Sequence, residues 1–311
     1  MNVLDFILQI ALLVAGFFML VKGADWFVDG ASGIATKFKI PQLVIGLTIV
    51  AMGTSAPEAA VSITAALEGS ADITVGNIVG SNILNILIIL GLSAVITPLL
   101  VAKSTIRIEI PFMIAITVLL LVLGFDGKMG WICGIILLLA FVAYLTYLFF
   151  MAKKDMDKQE EAPKELSVWK ALLFTIFGLI LIILGSNFTV NAATEIATML
   201  GLSERFIGLT IVALGTSLPE LFTSVSAARK GNADIAIGNI VGSNVFNILF
   251  VVGLSALIVP VPFASGFIFD TIVAIVAGVL LLLCSLKGRM LKRWGGILML
   301  LSYVAYFIAI W

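Results

Sequence analysis

The 311-residue sequence contains no histidine, which removes imidazole from every candidate reaction and every candidate metal site. Its two cysteines, Cys133 and Cys284, lie in separate apolar stretches without metal-ligand spacing. A disulfide or zinc site is not expected from them, and both read as small core residues. Charge is scarce too: Asp, Glu, Lys and Arg make up 12% of the chain, about half of what a water-soluble domain carries. In their place the chain is 61% hydrophobic, with a mean hydropathy of +1.22. These shortages exclude a soluble protein. They also leave a membrane enzyme without a nucleophile–base pair. Any ion this chain holds must be held by oxygen.

Apolar stretches near the ~20 residues needed to cross hydrocarbon recur at about 4–22, 40–67, 72–98, 106–124 and 130–151. Five more follow at about 169–188, 205–228, 234–259, 267–286 and 294–311. Continuous apolar runs, rather than ten-residue alternating ones, predict helices and not a barrel. The expected fold is an all-α integral membrane protein of about ten transmembrane helices. No basic run precedes the first stretch and no small-residue cleavage site follows, so it is read as a retained span. Assigning loops alternately to the two sides groups Lys22, Lys37, Lys39, Lys103, Arg107, Lys153, Lys154, Lys158, Lys164, Lys170, Arg229, Lys230, Lys287, Arg289, Lys292 and Arg293 together. Only Lys128 and Arg205 face the other way. The positive-inside rule then predicts a cell (plasma or inner) membrane protein with a cytoplasmic central linker and both termini outside.

Comparing the chain with itself at a shift of 162 residues aligns 45–58 with 207–220, identical at twelve of fourteen positions. The same ungapped shift aligns 71–73 with 233–235 and Gly76-Asn77-Ile78-Val79-Gly80-Ser81-Asn82 with Gly238-Asn239-Ile240-Val241-Gly242-Ser243-Asn244. This is an internal duplication. Five spans separate each element from its copy, and five is odd, so the second half crosses the membrane in the opposite sense. The expected organisation is a first five-helix repeat at 1–152, a cytoplasmic linker at 153–168, and an inverted five-helix repeat at 169–311. Inverted halves of transporters place an ion site near the midplane, with broken helices supplying ligands.

The first motif reads Gly53-Thr54-Ser55-Ala56-Pro57-Glu58 and its copy Gly215-Thr216-Ser217-Leu218-Pro219-Glu220. Pro57 has no N–H for the carbonyl of Gly53 and its ring crowds that carbonyl, so each helix should break there. Thr54 and Ser55 lie four and three residues before Glu58, placing two hydroxyls and a carboxylate on one helical face. The next span adds Ser81, Asn82 and Asn85, copied as Ser243, Asn244 and Asn247. All are hard oxygen donors of the kind calcium and sodium take. Glu58 and Glu220 are the only carboxylates this span assignment leaves near mid-membrane. Their two charges match one divalent or two monovalent cations. Gly76, Gly80, Gly238 and Gly242 read as close-packing positions. Asp72 and Asp234 read as helix N-caps, and Asp25, Asp29, Glu109 and Asp270 as charges near span ends.

These motifs resemble the sodium/calcium exchanger branch of the cation/calcium exchanger superfamily. Its two alpha-repeats carry Gly-Thr-Ser-x-Pro-Glu or Asp and, a span later, Gly-Ser-Asn-x-x-Asn or Asp. The resemblance covers the whole chain and implies an antiporter exchanging calcium for sodium, not an enzyme. It makes Glu58 and Glu220 the central ligands, surrounded by Thr54, Ser55, Thr216, Ser217, Ser81, Ser243, Asn85 and Asn247. Backbone carbonyls of Ala51 and Ala213 are implied at flanking sodium sites. Asn247, where potassium-dependent members place Asp, argues against potassium use. The hydroxyl residues of the first motif favour sodium over the proton-coupled branch. A proton/calcium antiporter and a passive cation channel remain the alternatives. The implied partners are the transported calcium and sodium ions and the lipid bilayer; no cofactor, nucleic acid or obligate protein partner is called for.

Overall fold

The computed structural model describes residues 3–69, 71–156, 167–201 and 213–310. Its elements are α1 (Val3–Lys37), α2 (Gln42–Thr54), α3 (Ala56–Leu67), and α4, which runs as Asp72–Leu84, a π-helical turn Asn85–Leu90 and a last stretch Gly91–Ile96. A short strand β1 (Leu99–Leu100), α5 (Thr105–Gly124), β2 (Lys128–Met129) and α6 (Trp131–Met156) complete the first half. The second half has α7 (Val168–Met199), α8 (Leu218–Arg229), α9 (Ala233–Ile258), β3 (Val261–Pro262), α10 (Ser265–Leu286), β4 (Met290–Leu291) and α11 (Arg293–Ile310). Among the described residues, eight helices are long and apolar enough to span a bilayer, and the bent pair α2–α3 makes a ninth. The remaining expected span, at about 205–228, is described only from Ala213 onward. Arg205, residues 207–212 of the duplicated motif, and 157–166 of the linker lie outside the described residues.

The 162-residue shift carries over into three dimensions. It maps α3 onto α8, the π turn Asn85–Leu90 onto Asn247–Val252, β1 onto β3 and β2 onto β4, residue for residue. β1 pairs antiparallel with β4, and β2 with β3, so each strand joins the copy of the other. This cross-pairing is what a two-fold axis between inverted halves requires.

Two spans are longer than hydropathy suggests. α1 continues past 22 to Lys37, and α7 past 188 to Met199. At 1.5 Å per residue α1 is about 52 Å long, against a hydrocarbon core of ~30 Å. Lys22 therefore lies within a helix and not in the loop to which the alternating assignment gave it. The hydropathy signal stops at Lys22, Asp25 and Asp29, yet the opposite face of the same segment stays apolar: Ala24, Phe27, Val28, Ala31 and Ala35 are fully buried. Beside that buried face, the glycines of α1 pack on α7. Gly16, Gly23 and Gly30 on α1 recur every seven residues, as do Ala171, Gly178, Gly185 and Ala192 on α7. A Cβ on Gly23 would stand 2.8 Å from Gly178 O, and one on Gly185 would stand 2.9 Å from Gly16 O. The contacts ascend on α1 as they descend on α7, so the first helices of the two halves are antiparallel. Seven-residue spacing keeps one face toward a partner over such a length.

Helices α4 and α9 form the enclosed centre, while α1, α7 and α11 turn large apolar side chains outward. α2 lies against α9 at backbone distance. A Cβ on Gly238 would meet Gly46 Cα at 3.0 Å, and one on Gly242 would meet Leu47 O at 2.6 Å, as expected for small-residue packing. Gly76 instead faces the ring of Phe267.

Several polar expectations are corrected. The residues preceding α4 and α9 at their caps are Ala71 and Asn232, so Asp72 and Asp234 stand in the first turn and not at the N-cap. Asp25 and Asp29 lie inside α1, tied to α8: Ser226 Oγ donates to Asp25 Oδ1 at 2.6 Å and Lys230 Nζ to Asp29 Oδ1 at 2.6 Å. Glu109 is not a solvated span-end charge; it is 1% exposed and accepts a hydrogen bond from the Tyr147 hydroxyl. Asp270, partly exposed near the start of α10, keeps its expected place by a span end and accepts a hydrogen bond from Tyr306 at 2.9 Å.

Candidate cation site

Between α2 and α3 the chain turns by 50°. Ser55 sits at the bend with φ −81° and ψ 7°, and Ser217 holds φ −90° and ψ 4° before α8. Pro57 and Pro219 each occupy the first turn of the following helix, where a missing N–H costs nothing. Each break therefore falls just before its proline, and Glu58 and Glu220 enter at the start of α3 and α8.

Both carboxylates are completely buried, and among the described residues no Lys or Arg forms an ion pair with either. Their partners come across the two-fold. Ser55 Oγ donates to Glu220 Oε1 at 2.7 Å, and Ser217 Oγ donates to Glu58 Oε1 at 3.2 Å. Ser243 on α9 donates to Glu220 Oε1 at 3.5 Å and to the carbonyl of Ala51 at 3.3 Å. Thr54 Oγ1 lies 3.3 Å from the same carbonyl, so two hydroxyls converge on Ala51 O. Thr216 lies beside the Glu58 carboxyl without closing a hydrogen bond. Ser81 and Asn85 are buried on α4, and Asn247 on α9. Ala213, related to Ala51 by the repeat, stands at the edge of the described residues.

The oxygen atoms left over are the informative ones. Among the buried side-chain oxygens of the described residues that have no hydrogen-bond partner, Glu58 Oε2, Glu220 Oε2, Asn85 Oδ1 and Asn247 Oδ1 form two symmetry-related pairs. An isolated charge in mid-membrane costs about 2.5–3.5 kcal/mol or more, and an unpaired buried acceptor about 1–3 kcal/mol. All four are hard oxygen donors of the type a cation such as calcium takes. The π-helical turns begin at Asn85 and at Asn247; such bulges widen a helix and re-aim side chains at functional positions.

Two further residues were not singled out from the sequence. Asn77 donates to Glu58 O at 3.3 Å and to Ser62 Oγ at 2.9 Å; Asn239 repeats this with Glu220 O at 3.4 Å and Ser224 Oγ at 2.9 Å. Thr54 Oγ1 donates to Asn239 Oδ1 at 3.0 Å. The signal was present, since Asn77 and Asn239 fall in the aligned block and Ser62 and Ser224 match at the same shift.

The chain is similar to known proteins over nearly its whole length. The family model described as sodium/calcium exchanger protein matches residues 8–150 and 170–311. A putative antiporter CaxA of Alkalimonas amylolytica is 41% identical over 305 residues, covering 94% of this chain and 96% of that protein. Sodium/calcium exchanger MaX1 of Methanosarcina acetivorans is 33% identical, with 96% of this chain and 97% of that protein covered. A solved structure of the sodium-calcium exchanger NCX_Mj superposes with a TM-score of 0.86 at 34% identity, covering 98% of this chain and 99% of that one. The chain is a multi-pass membrane protein and belongs to the sodium/calcium exchanger protein family.

Proposed function

We infer that the chain is a secondary antiporter that exchanges calcium for sodium by alternating access. The observation that carries this is the two-fold set of unpartnered buried oxygens on Glu58, Glu220, Asn85 and Asn247. Glu58 and Glu220 supply two negative charges, which one calcium or two sodium ions neutralise. Hydroxyls of Thr54, Ser55, Thr216, Ser217, Ser81 and Ser243 and the carbonyls of Ala51 and Ala213 complete the oxygen shells. Calcium takes six to eight oxygens, more than the four unpartnered ones alone provide. With either ion bound the site is close to neutral and can pass the apolar barrier between states. Empty, it carries uncompensated charge and cannot. That difference is what makes the two fluxes obligatory partners.

The same reading divides the chain at 1–152, 153–168 and 169–311, with the linker cytoplasmic and both termini outside a cell membrane. The clustering of basic residues on one set of loops supports it.

The test is uptake of radioactive calcium by liposomes loaded with sodium and diluted into sodium-free buffer, with potassium-loaded vesicles at matched pH as control. Uptake that needs internal sodium and is lost in Glu58→Gln and in Glu220→Gln is the expected result. Uptake indifferent to sodium but driven by a pH gradient would replace the reading with proton/calcium antiport, and uptake needing no counter-ion would replace it with a channel.

A further inference from the structure

Asn82 and Asn244 occupy the same register of α4 and α9, three residues before Asn85 and Asn247. All four are at most 3% exposed. Asn82 Nδ2 donates to Asn244 O at 3.2 Å, and Asn244 Nδ2 returns the bond to Asn82 O at 3.2 Å. Asn85 Nδ2 donates to Asn244 Oδ1 at 2.9 Å, and Asn247 Nδ2 donates to Asn82 Oδ1 at 3.2 Å. Each of these four amide nitrogens thus has an acceptor, and the side-chain oxygens of Asn82 and Asn244 each have a donor. Only Asn85 Oδ1 and Asn247 Oδ1 remain without a partner.

A carboxamide is nearly symmetric in shape but not in charge. Its oxygen attracts a cation; its NH2 group, with two donors and no acceptor, repels one. An unrestrained asparagine beside an ion site could present either end. Here the NH2 ends of Asn85 and Asn247 are held away by acceptors that leave only the oxygen ends free.

We propose that Asn82 and Asn244 are positioning residues for the cation site: without touching the ion, Asn82 turns the oxygen of Asn247 toward it and Asn244 turns the oxygen of Asn85. The assignment is crossed between halves, so each half aims a ligand belonging to the other. It also fixes α4 to α9 through the paired amide–carbonyl bonds, making the two sets of ligands one rigid group. The proposal rests on the exchange reading above and deepens it.

Calcium binding to the purified protein, measured by flow dialysis, tests it. Binding by the wild type is established first; its absence would count against the exchange reading, before any variant is examined. Asn82→Leu removes the acceptor for the Asn247 amide and should weaken calcium binding about tenfold or more, since a buried polar group loses its partner and a donor turns toward the ion. Asn247→Asp presents oxygen whichever way it turns. In the Asn82→Leu background it should restore affinity to near that of Asn247→Asp alone. Asn85→Asp adds the same charge at the symmetric position and should not restore it. The mirror experiment, Asn244→Leu, should be rescued by Asn85→Asp and not by Asn247→Asp. A merely structural role would give no such crossed pattern. Unchanged affinity in both leucine variants, or rescue by either aspartate alike, would overturn the proposal. Should a leucine variant not fold, Asn82→Ala and Asn244→Ala carry the same comparison.

Discussion

Ser55 Oγ reaches Glu220 at 2.7 Å, while its counterpart Ser217 reaches Glu58 at 3.2 Å. A hydrogen bond to a charged group contributes about 1.5–3 kcal/mol, and the shorter contact is the stronger. Ser55→Ala should therefore raise the calcium concentration for half-maximal uptake about tenfold or more, and Ser217→Ala less; equal effects would contradict the asymmetry of the two contacts. Both serines, both glutamates and both threonines were legible in the sequence because each occurs twice at one fixed shift. Glu109 was not. Its position near the start of a hydropathic span suggested exposure, but Tyr147 comes from another helix 38 residues later, and no local pattern records that contact.

At the scale of elements, the seam between α1 and α7 depends on backbones that touch. Gly23→Ala would drive a methyl group to 2.8 Å from Gly178 O, a backbone atom that cannot swing aside. Overpacking of this kind costs about 1–3 kcal/mol. The variant should lose thermal stability in detergent, whereas Gly266→Ala, with nothing within 4 Å among the described residues, should not. The seven-residue glycine spacing stands in the sequence but was not singled out there, and the length of α1 was hidden because Lys22, Asp25 and Asp29 interrupt the hydropathy. Those charges lie on the face away from α7, and Lys230 and Ser226 of the α8 end receive the two aspartates. The breaks in the motif helices were legible from Pro57 and Pro219, since proline removes a donor wherever it stands in a helix.

At the scale of the whole molecule, the inverted halves predict where each loop can be reached. With Cys133 and Cys284 replaced by serine, Lys287→Cys, between α10 and α11 where the repeat places the copy of the α5–α6 loop, should react with an impermeant thiol reagent only from the cytoplasmic side. Asp126→Cys, between α5 and α6, should react only from the outside. Reaction of both from one side would refute the inverted arrangement, and reaction of each from the opposite side would reverse the assigned orientation. The parity argument needed only the repeat and the span count. The crossed pairing of β1 with β4 and β2 with β3 was not foreseeable, because two-residue strands at loop ends have no period to detect.

What the sequence by itself determined is the membrane environment, the duplication, its inverted sense, and the chemistry of the buried oxygens. Each of these follows from composition or from identity at one fixed spacing, which need no knowledge of distant contacts. The tertiary structure alone decided how the oxygens are shared. That Ser55 serves Glu220, that Asn244 holds the Asn85 amide, and that four particular oxygens are left unpartnered depend on which atoms meet across some 160 residues of chain. Both halves carry nearly the same motif, so the sequence cannot distinguish a serine bonding its own glutamate from one bonding the copy. Packing of the two halves about the two-fold, which sets the start of α3 against the start of α8, makes that choice.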